Sequence, residues 1–335
     1  MAIERICVIG GGAIGSLTAA HLSRVADVWL LTRRADHATA VGGGLRVSGK
    51  ADFVAELQAS ERAAAVPEFD LGILATKTTD LDQAAASLAG HSPNAALMPL
   101  QNGLGAEEVV RQHGEWRLIS AVTFMSGIRH ADDHVEYELD TATWMGPYTP
   151  TSTPLDLVTE VGDLFAGGGL GAEVMSDLVP AQWSKLIFNA AVNGTAALTA
   201  LPHVSAFADR SELTSLGGLV EGLVDEGRAV AAAAEVELHE DPWEMNCLAV
   251  RRGESKGSDY AHLPSMLEDV LARRPTEVDA RAGAMVREGD RLGVPTPLNT
   301  AVYGLIKAKE RSWDPGSEAI TKVGASDKFT ERDSQ

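Results

Sequence analysis

With 335 residues, 45% of them hydrophobic and 22% charged, the chain has the composition of a soluble globular protein and exceeds one ordinary core, which predicts two domains. A formal net charge of −19 excludes nucleic acid and anionic membrane as partners, since both need a basic surface, and it obliges any anionic ligand to find a local basic patch. Cys7 and Cys247 are the only cysteines and form no C-x-x-C pair, no leader pattern precedes the first strand, and no apolar run reaches spanning length, so a reducing cytoplasm is the expected setting.

Arg5 to Ile9 reads as a short buried strand and runs straight into Gly10-Gly11-Gly12-Ala13-Ile14-Gly15, after which an alanine-rich helix continues to about Arg24. A lone G-x-G-x-x-G is weak evidence. Between a strand and a helix, with a second apolar strand from Val28 to Leu31, it becomes a dinucleotide-binding βαβ unit. Gly10 permits the tight turn, Gly12 lets the backbone approach the pyrophosphate, and Gly15 lets helix and strand pack closely. The helix N-terminus offers free N–H groups and a positive dipole end to the phosphates.

The residues after the second strand select the cofactor. An NAD site usually places an acid there for the ribose hydroxyls, whereas this chain has Thr32-Arg33-Arg34, and Asp36 comes too late. A guanidinium suits a 2′-phosphate, so Arg33 points to NADP(H); the bland alternative is a pair of solvated arginines.

Leu71 to Ala75 is a buried parallel strand ending in Thr76-Lys77-Thr78, and Ala96 to Leu100 is another, ending in Gln101-Asn102-Gly103. Ligands bind at the C-terminal ends of such strands, which places Lys77 on the cofactor side and lets Asn102 orient a nicotinamide or a substrate oxygen. Further strands are expected over Ile119–Met125, His134–Glu138 and Thr143–Met145, closing this domain. His130 and His134, with Asp132 and Asp133 between them, lack a convincingly spaced third ligand and read as a hairpin loop, so no metal is expected.

The turn-rich Pro147–Pro154 leads to a long helical pattern and one more strand near Ala172–Met175. Beyond Asp177 the pattern is helical: the Lys185 helix, then Leu213–Glu235, Met245–Arg251, Ser265–Leu271, Thr276–Leu292 and Leu298–Lys309. The expected architecture is an α/β N-terminal Rossmann-type dinucleotide-binding domain over residues 1–176, followed by an all-α C-terminal domain over 177–335. From about Ser312 the chain is polar, and a loosely ordered tail is expected.

The stretch from Gln182 to Leu201 carries the chemistry. Lys185, Asn189 and Asn193 recur at i, i+4 and i+8 on an otherwise apolar helix, forming one stripe that drifts about 40° per step. Such groups are costly to bury unless something polar faces them. The stripe therefore meets either water or a cleft holding an oxygen-rich ligand.

GGGAIG with Arg33, TKTTD around Lys77, QNGLG around Asn102, the Lys185-Asn189-Asn193 helix, PSMLEDV at Ser265 and PTEVD at Glu277 follow one another in an order that resembles the ketopantoate reductase (2-dehydropantoate 2-reductase) family over nearly the whole chain. The resemblance implies a cytoplasmic, NADPH-dependent reductase of a 2-keto acid, most simply 2-dehydropantoate to pantoate in pantothenate biosynthesis, with a homodimer as an allowed assembly. It further implies Lys185 as general acid, Glu277 orienting that lysine or the nascent hydroxyl, Asn102, Asn189, Asn193 and Ser265 on substrate oxygens, and Lys77 near the cofactor. A general acid on the ketone oxygen suits the chemistry, since reduction builds negative charge there. On this expectation the lysine is held protonated by the neighbouring carboxylate against the effect of burial.

Two features depart from the family. After TEVD it usually continues with an aromatic residue and then Asn-Gly, whereas this chain has Ala280-Arg281-Ala282-Gly283, and the chain is somewhat longer. Arg281 is placed to pair with Glu277 or with a substrate carboxylate. The rival expectations are a reductase of another branched or aromatic 2-keto acid, a β-hydroxyacid dehydrogenase, disfavoured by the Pro180-Ala181-Gln182-Trp183 lead-in, and an NADP sensor, which would have no use for Lys185 and Glu277 together.

Overall fold

The computed structural model describes residues 3–212, 215–255 and 263–313. The expected tail beyond Ser312 falls mostly outside them. In chain order the first half comprises β1 (Arg5–Ile9), α1 (Ala13–Leu22), β2 (Asp27–Leu31), α2 (Ala35–Gly42), β3 (Leu45–Gly49), β4 (Phe53–Ala55), β5 (Gln58–Ser60), β6 (Leu71–Leu74), α3 (Thr78–Ser87), β7 (Ala96–Pro99), α4 (Ala106–Arg111), β8 (Arg117–Thr123), β9 (Ser126–Ala131), β10 (His134–Leu139), β11 (Thr143–Pro147), α5 (Leu155–Gly168) and β12 (Ala172–Val174). The second half comprises α6 (Val179–Thr199), α7 (Leu216–Ala233), α8 (Pro242–Ser255), α9 (Ser265–Leu271), α10 (Ala282–Leu292) and α11 (Pro297–Arg311).

Eight strands form the main sheet in the order β12-β11-β8-β7-β6-β1-β2-β5. The run from β8 to β5 is parallel, and β11 turns antiparallel against β8. The sequence of connections reverses direction between β1 and β6. That switch point opens a crevice at the strand C-termini, where open α/β sheets bind ligands. Ile6, Val8 and Ile73 face one core of the sheet, and Cys7, Ile9, Leu74 and Leu97 the other, so these strands are buried on both faces.

A second sheet, β4-β3-β10-β9, was not expected. His134–Glu138 does form a strand, but β10 pairs with β3 and β9 and takes no part in closing the main sheet. His130 bonds Glu136 at 2.7 Å and His134 bonds Ser48 at 2.8 Å, across the short strands of this sheet. Among the described residues, no group of three or more His, Cys, Asp or Glu side chains is placed to hold a metal ion.

The second half is helical, as expected, and is built around α6, which packs against α7, α8, α9, α10 and α11. Trp183, Leu186, Ile187 and Val192 anchor its core, each large side chain worth about 1.5–3 kcal/mol when fully buried. One expected helix is broken. Thr276–Leu292 is not continuous: a short 3-10 turn over Val278–Ala280 is followed by Arg281 at φ −112°, ψ −97°, and only then by α10. That kink is what sends Arg281 inward. No described helix is long and apolar enough to cross a membrane.

Candidate active site

The glycine-rich turn begins at the C-terminus of β1. Gly10 has φ +114°, and a Cβ there would lie 2.9 Å from the Ala75 carbonyl carbon at the end of β6. A Cβ on Gly15 would come within 1.8 Å of the Gly10 oxygen, so α1 can approach the turn only without a side chain. Gly12 differs: nothing lies within 4 Å of where its Cβ would be. Gly12 is also the N-cap of α1, whose first turn, starting at Ala13 and Ile14, holds no acidic residue and receives no side-chain cap. Open space before free N–H groups at a helix N-terminus fits a dinucleotide pyrophosphate.

His37 was not anticipated. It is buried with its Nε2 unpartnered, and a Cβ on Gly11 would meet its Cε1 at 2.4 Å, so the ring braces the turn. Burial pushes its pKa down, keeping the imidazole neutral beside the phosphate site. Arg33 projects from the end of β2 with 81% of its side chain exposed and a 3.1 Å contact to Asp80, while Arg34 is taken up by Asp132 and Asp36.

At the ends of β6 and β7, Gln101 donates from Nε2 to the carbonyls of Leu74 and Thr76, both at 2.9 Å, and so ties the two strand ends together. Asn102 follows half-buried at the crevice. Lys77 stands at the N-cap of α3, but its ammonium pairs across the molecule with Asp269 of α9, which Arg274 also contacts at 3.0 Å.

Lys185 lies on α6 and is 4% exposed. Its Nζ donates to the carbonyl of Thr123 at the end of β8 and sits 4.2 Å from the centre of the Phe124 ring. Burial, and then the positive charge of Arg281, push its pKa from 10.5 down to about 7. The expectation of an ordinary lysine held up by a neighbouring carboxylate is therefore corrected, because desolvation wins. One and two turns further on, Asn193 donates to Asn189 at 3.1 Å, and both amides are more than nine-tenths buried.

Glu277, between α9 and α10 in the chain, makes no direct bond to Lys185 among the described residues. Its Oε1 accepts from the Thr78 N–H at 2.9 Å and the Thr78 hydroxyl at 2.7 Å, and its Oε2 accepts from Arg281 at 3.0 Å. Burial pushes its carboxyl up, but Arg281 and the Thr78 bonds outweigh it, so it stays ionised below the usual range. Arg281 also donates to the Ser265 hydroxyl at 3.1 Å. Ser265, Arg281, Glu277 and Thr78 thus form one bonded group that joins the two halves of the chain, and the charge of Arg281 acts on Lys185 of α6. Thr78 and Gln101 carried no sequence signal of their own beyond adjacency to the TKTTD and QNGLG turns.

Residues 6–150 match the family model described as Ketopantoate reductase PanE/ApbA, and residues 177–310 match Ketopantoate reductase PanE/ApbA C terminal. The chain belongs to the ketopantoate reductase family. It is 29% identical to a 2-dehydropantoate 2-reductase of Pyrococcus horikoshii over 91% of this chain and 97% of that one. It is 27% identical to that of Archaeoglobus fulgidus, over 92% of this chain and 99% of the other. A solved PanE/ApbA family ketopantoate reductase from Ralstonia eutropha JMP134 superposes with a TM-score of 0.78 at 26% identity, covering 92% of this chain and 99% of its own. A D-mandelate dehydrogenase solved with NADH and anilino(oxo)acetate shares the fold, with a TM-score of 0.81 at 22% identity over 92% and 99%.

Proposed function

We propose that the chain reduces a 2-keto acid to the corresponding 2-hydroxy acid with NADPH, and that 2-dehydropantoate, reduced to pantoate, is the substrate, as the names of its curated relatives suggest. The observation that carries this is Lys185: a buried ammonium with a pKa near neutrality, on a stripe with two buried amides, beside the C-terminal crevice of a dinucleotide fold. A bound nicotinamide supplies the hydride. Lys185 holds a hydrogen bond to the ketone oxygen and delivers its proton as negative charge builds there, and in a dry site that donor is worth far more than in water. Thr123 and Phe124 keep the ammonium in place between turnovers, since both already contact it.

Asn102, Asn189, Asn193 and Ser265 bind substrate oxygens. Glu277 acts as a positioning residue, holding Arg281 and the start of α3. Gly10 to Gly15 cradle the pyrophosphate, Arg33 grips a 2′-phosphate, and Lys77 stands near the cofactor. We divide the chain on the same grounds into a cofactor-binding part, 1–176, and a catalytic part, 177–335. The assembly is a homodimer, as a structurally similar Staphylococcus aureus ketopantoate reductase is; light scattering on the purified protein tests that point.

NADPH oxidation across a panel of branched, aromatic and dicarboxylic 2-keto acids tests the function. Turnover highest with 2-dehydropantoate is expected. Stronger turnover of an aromatic acid would move the substrate, and turnover of none would overturn the reductase.

A further inference from the structure

Arg281 is buried in surroundings short of acceptors. The residue is 2% exposed, yet Nε and one terminal nitrogen have no hydrogen-bond partner. The remaining nitrogen donates to both Ser265 and Glu277. A buried guanidinium left in this condition is costly, and the cost persists unless something supplies the missing acceptors. Glu277 cannot do so alone, because its other oxygen is committed to Thr78.

Charge points the same way. Lys77 and Arg274 share Asp269, Arg281 pairs with Glu277, and the charge of Arg281 acts on Lys185. In a protein with net charge −19, this is a local excess of cations. It is the patch that an anionic ligand requires against the global field.

We propose that Arg281, with Ser265 beside it, anchors the carboxylate of the substrate and sets the preference for 2-keto acids over uncharged ketones. The proposal rests on the reductase function above. A carboxylate provides the acceptors that the orphaned N–H groups lack, and such charge-assisted bonds are strong. In a 2-keto acid the ketone is bonded directly to the carboxyl carbon, so a carboxylate held at Arg281 keeps the ketone oxygen on the Lys185 side. Both orphaned nitrogens are closed off from water in this arrangement. The carboxylate therefore reaches them through a shift of side chains on binding, not through an open hole.

Two probes that differ only in charge test it: 3-methyl-2-oxobutanoate and its primary amide, each reduced with NADPH by the full chain. The parent is expected to prefer the acid. In Arg281→Met, kcat/KM for the acid should fall about 10- to 100-fold, mostly through KM, the size of a lost charged hydrogen bond. The amide should change by no more than a few-fold, and NADPH affinity should hold. Arg281→Lys keeps a point charge without the planar fork and should retain part of the preference; it carries the test if the Met variant does not fold. Equal losses for acid and amide would overturn the proposal, leaving Arg281 as a structural support for Glu277, and so would no loss for either. If the parent reduces neither these probes nor any 2-keto acid of the panel, the reductase function itself falls. Good turnover of keto acids with an unchanged acid-over-amide ratio in Arg281→Met removes only the anchor.

Discussion

One oxygen of Glu277 closes the first turn of α3 from the opposite half of the molecule, accepting both the backbone N–H and the hydroxyl of Thr78 at 2.9 and 2.7 Å. The carboxylate thus caps a helix 199 positions away in sequence while its other oxygen neutralises Arg281. Removing it strands a buried cation and uncaps a helix at once. Glu277→Ala should destabilise the protein by about 3 kcal/mol, the lower end for breaking a buried pair. Adding Arg281→Met should recover part of that loss, because the stranded charge is gone. Denaturant unfolding of the two single variants and the double measures it, and strictly additive losses would contradict the pairing.

Lys185→Ala should slow reduction by about two to four orders of magnitude, the range for a general acid. NADPH binding should survive, because the glycine turn and Arg33 lie in the other half of the chain. Single-turnover rates alongside fluorescence titration of NADPH separate the two effects. A loss of only a few-fold would remove Lys185 as the proton donor.

The depressed pKa of Lys185 sets a pH dependence. Reduction needs the protonated form, so kcat/KM for the keto acid should fall as pH rises through about 7, and oxidation of the hydroxy acid should rise over the same interval. Arg281 lowers this pKa by its charge, so in Arg281→Met the descending limb should move to higher pH. A limb that stays in place would mean that Lys185 is not the titrating group.

The same shift has a cost in stability. The folded-state pKa of about 7 lies below the ordinary value of 10.5, so between these values the unfolded chain binds the extra proton. Stability gains from this residue as pH rises from 7 to 10.5, and the full penalty applies below 7. Lys185→Met should therefore melt higher than the parent at pH 6, with the difference shrinking above pH 7. Melting curves at pH 6 and pH 9 check the sign.

Among the described residues Arg33 is held by one exposed contact, to Asp80, so it is free to turn toward a 2′-phosphate. Arg33→Ala should weaken NADPH about tenfold or more and leave NADH nearly unchanged, as expected for one charge-assisted phosphate contact. Isothermal titration with both cofactors decides it, and equal losses would assign the preference elsewhere.

What the sequence determined by itself were features whose physical cause is local. The glycine turn is legible because each glycine answers a constraint set within a few residues of it, and the Lys185-Asn189-Asn193 stripe because helical periodicity puts residues four apart on one face. The parallel strands around β1 and β6 are legible because burial on both faces makes them continuous apolar runs.

Tertiary structure alone decided the rest. β3 and β10 pair although 88 positions separate Val47 from Val135, its partner in the register, and their short polar-edged strands carry no strong alternation. The kink at Arg281 breaks a pattern that reads as one helix, and it turns a residue that periodicity would leave on a helix face into a buried cation. The pKa of Lys185 depends on how completely water is excluded and on which charge stands beside it, and the partner of Glu277 is a threonine from the other half of the chain. Dielectric environment and long-range pairing are properties of the folded arrangement, whereas spacing along a helix or around a turn is already present in the unfolded chain.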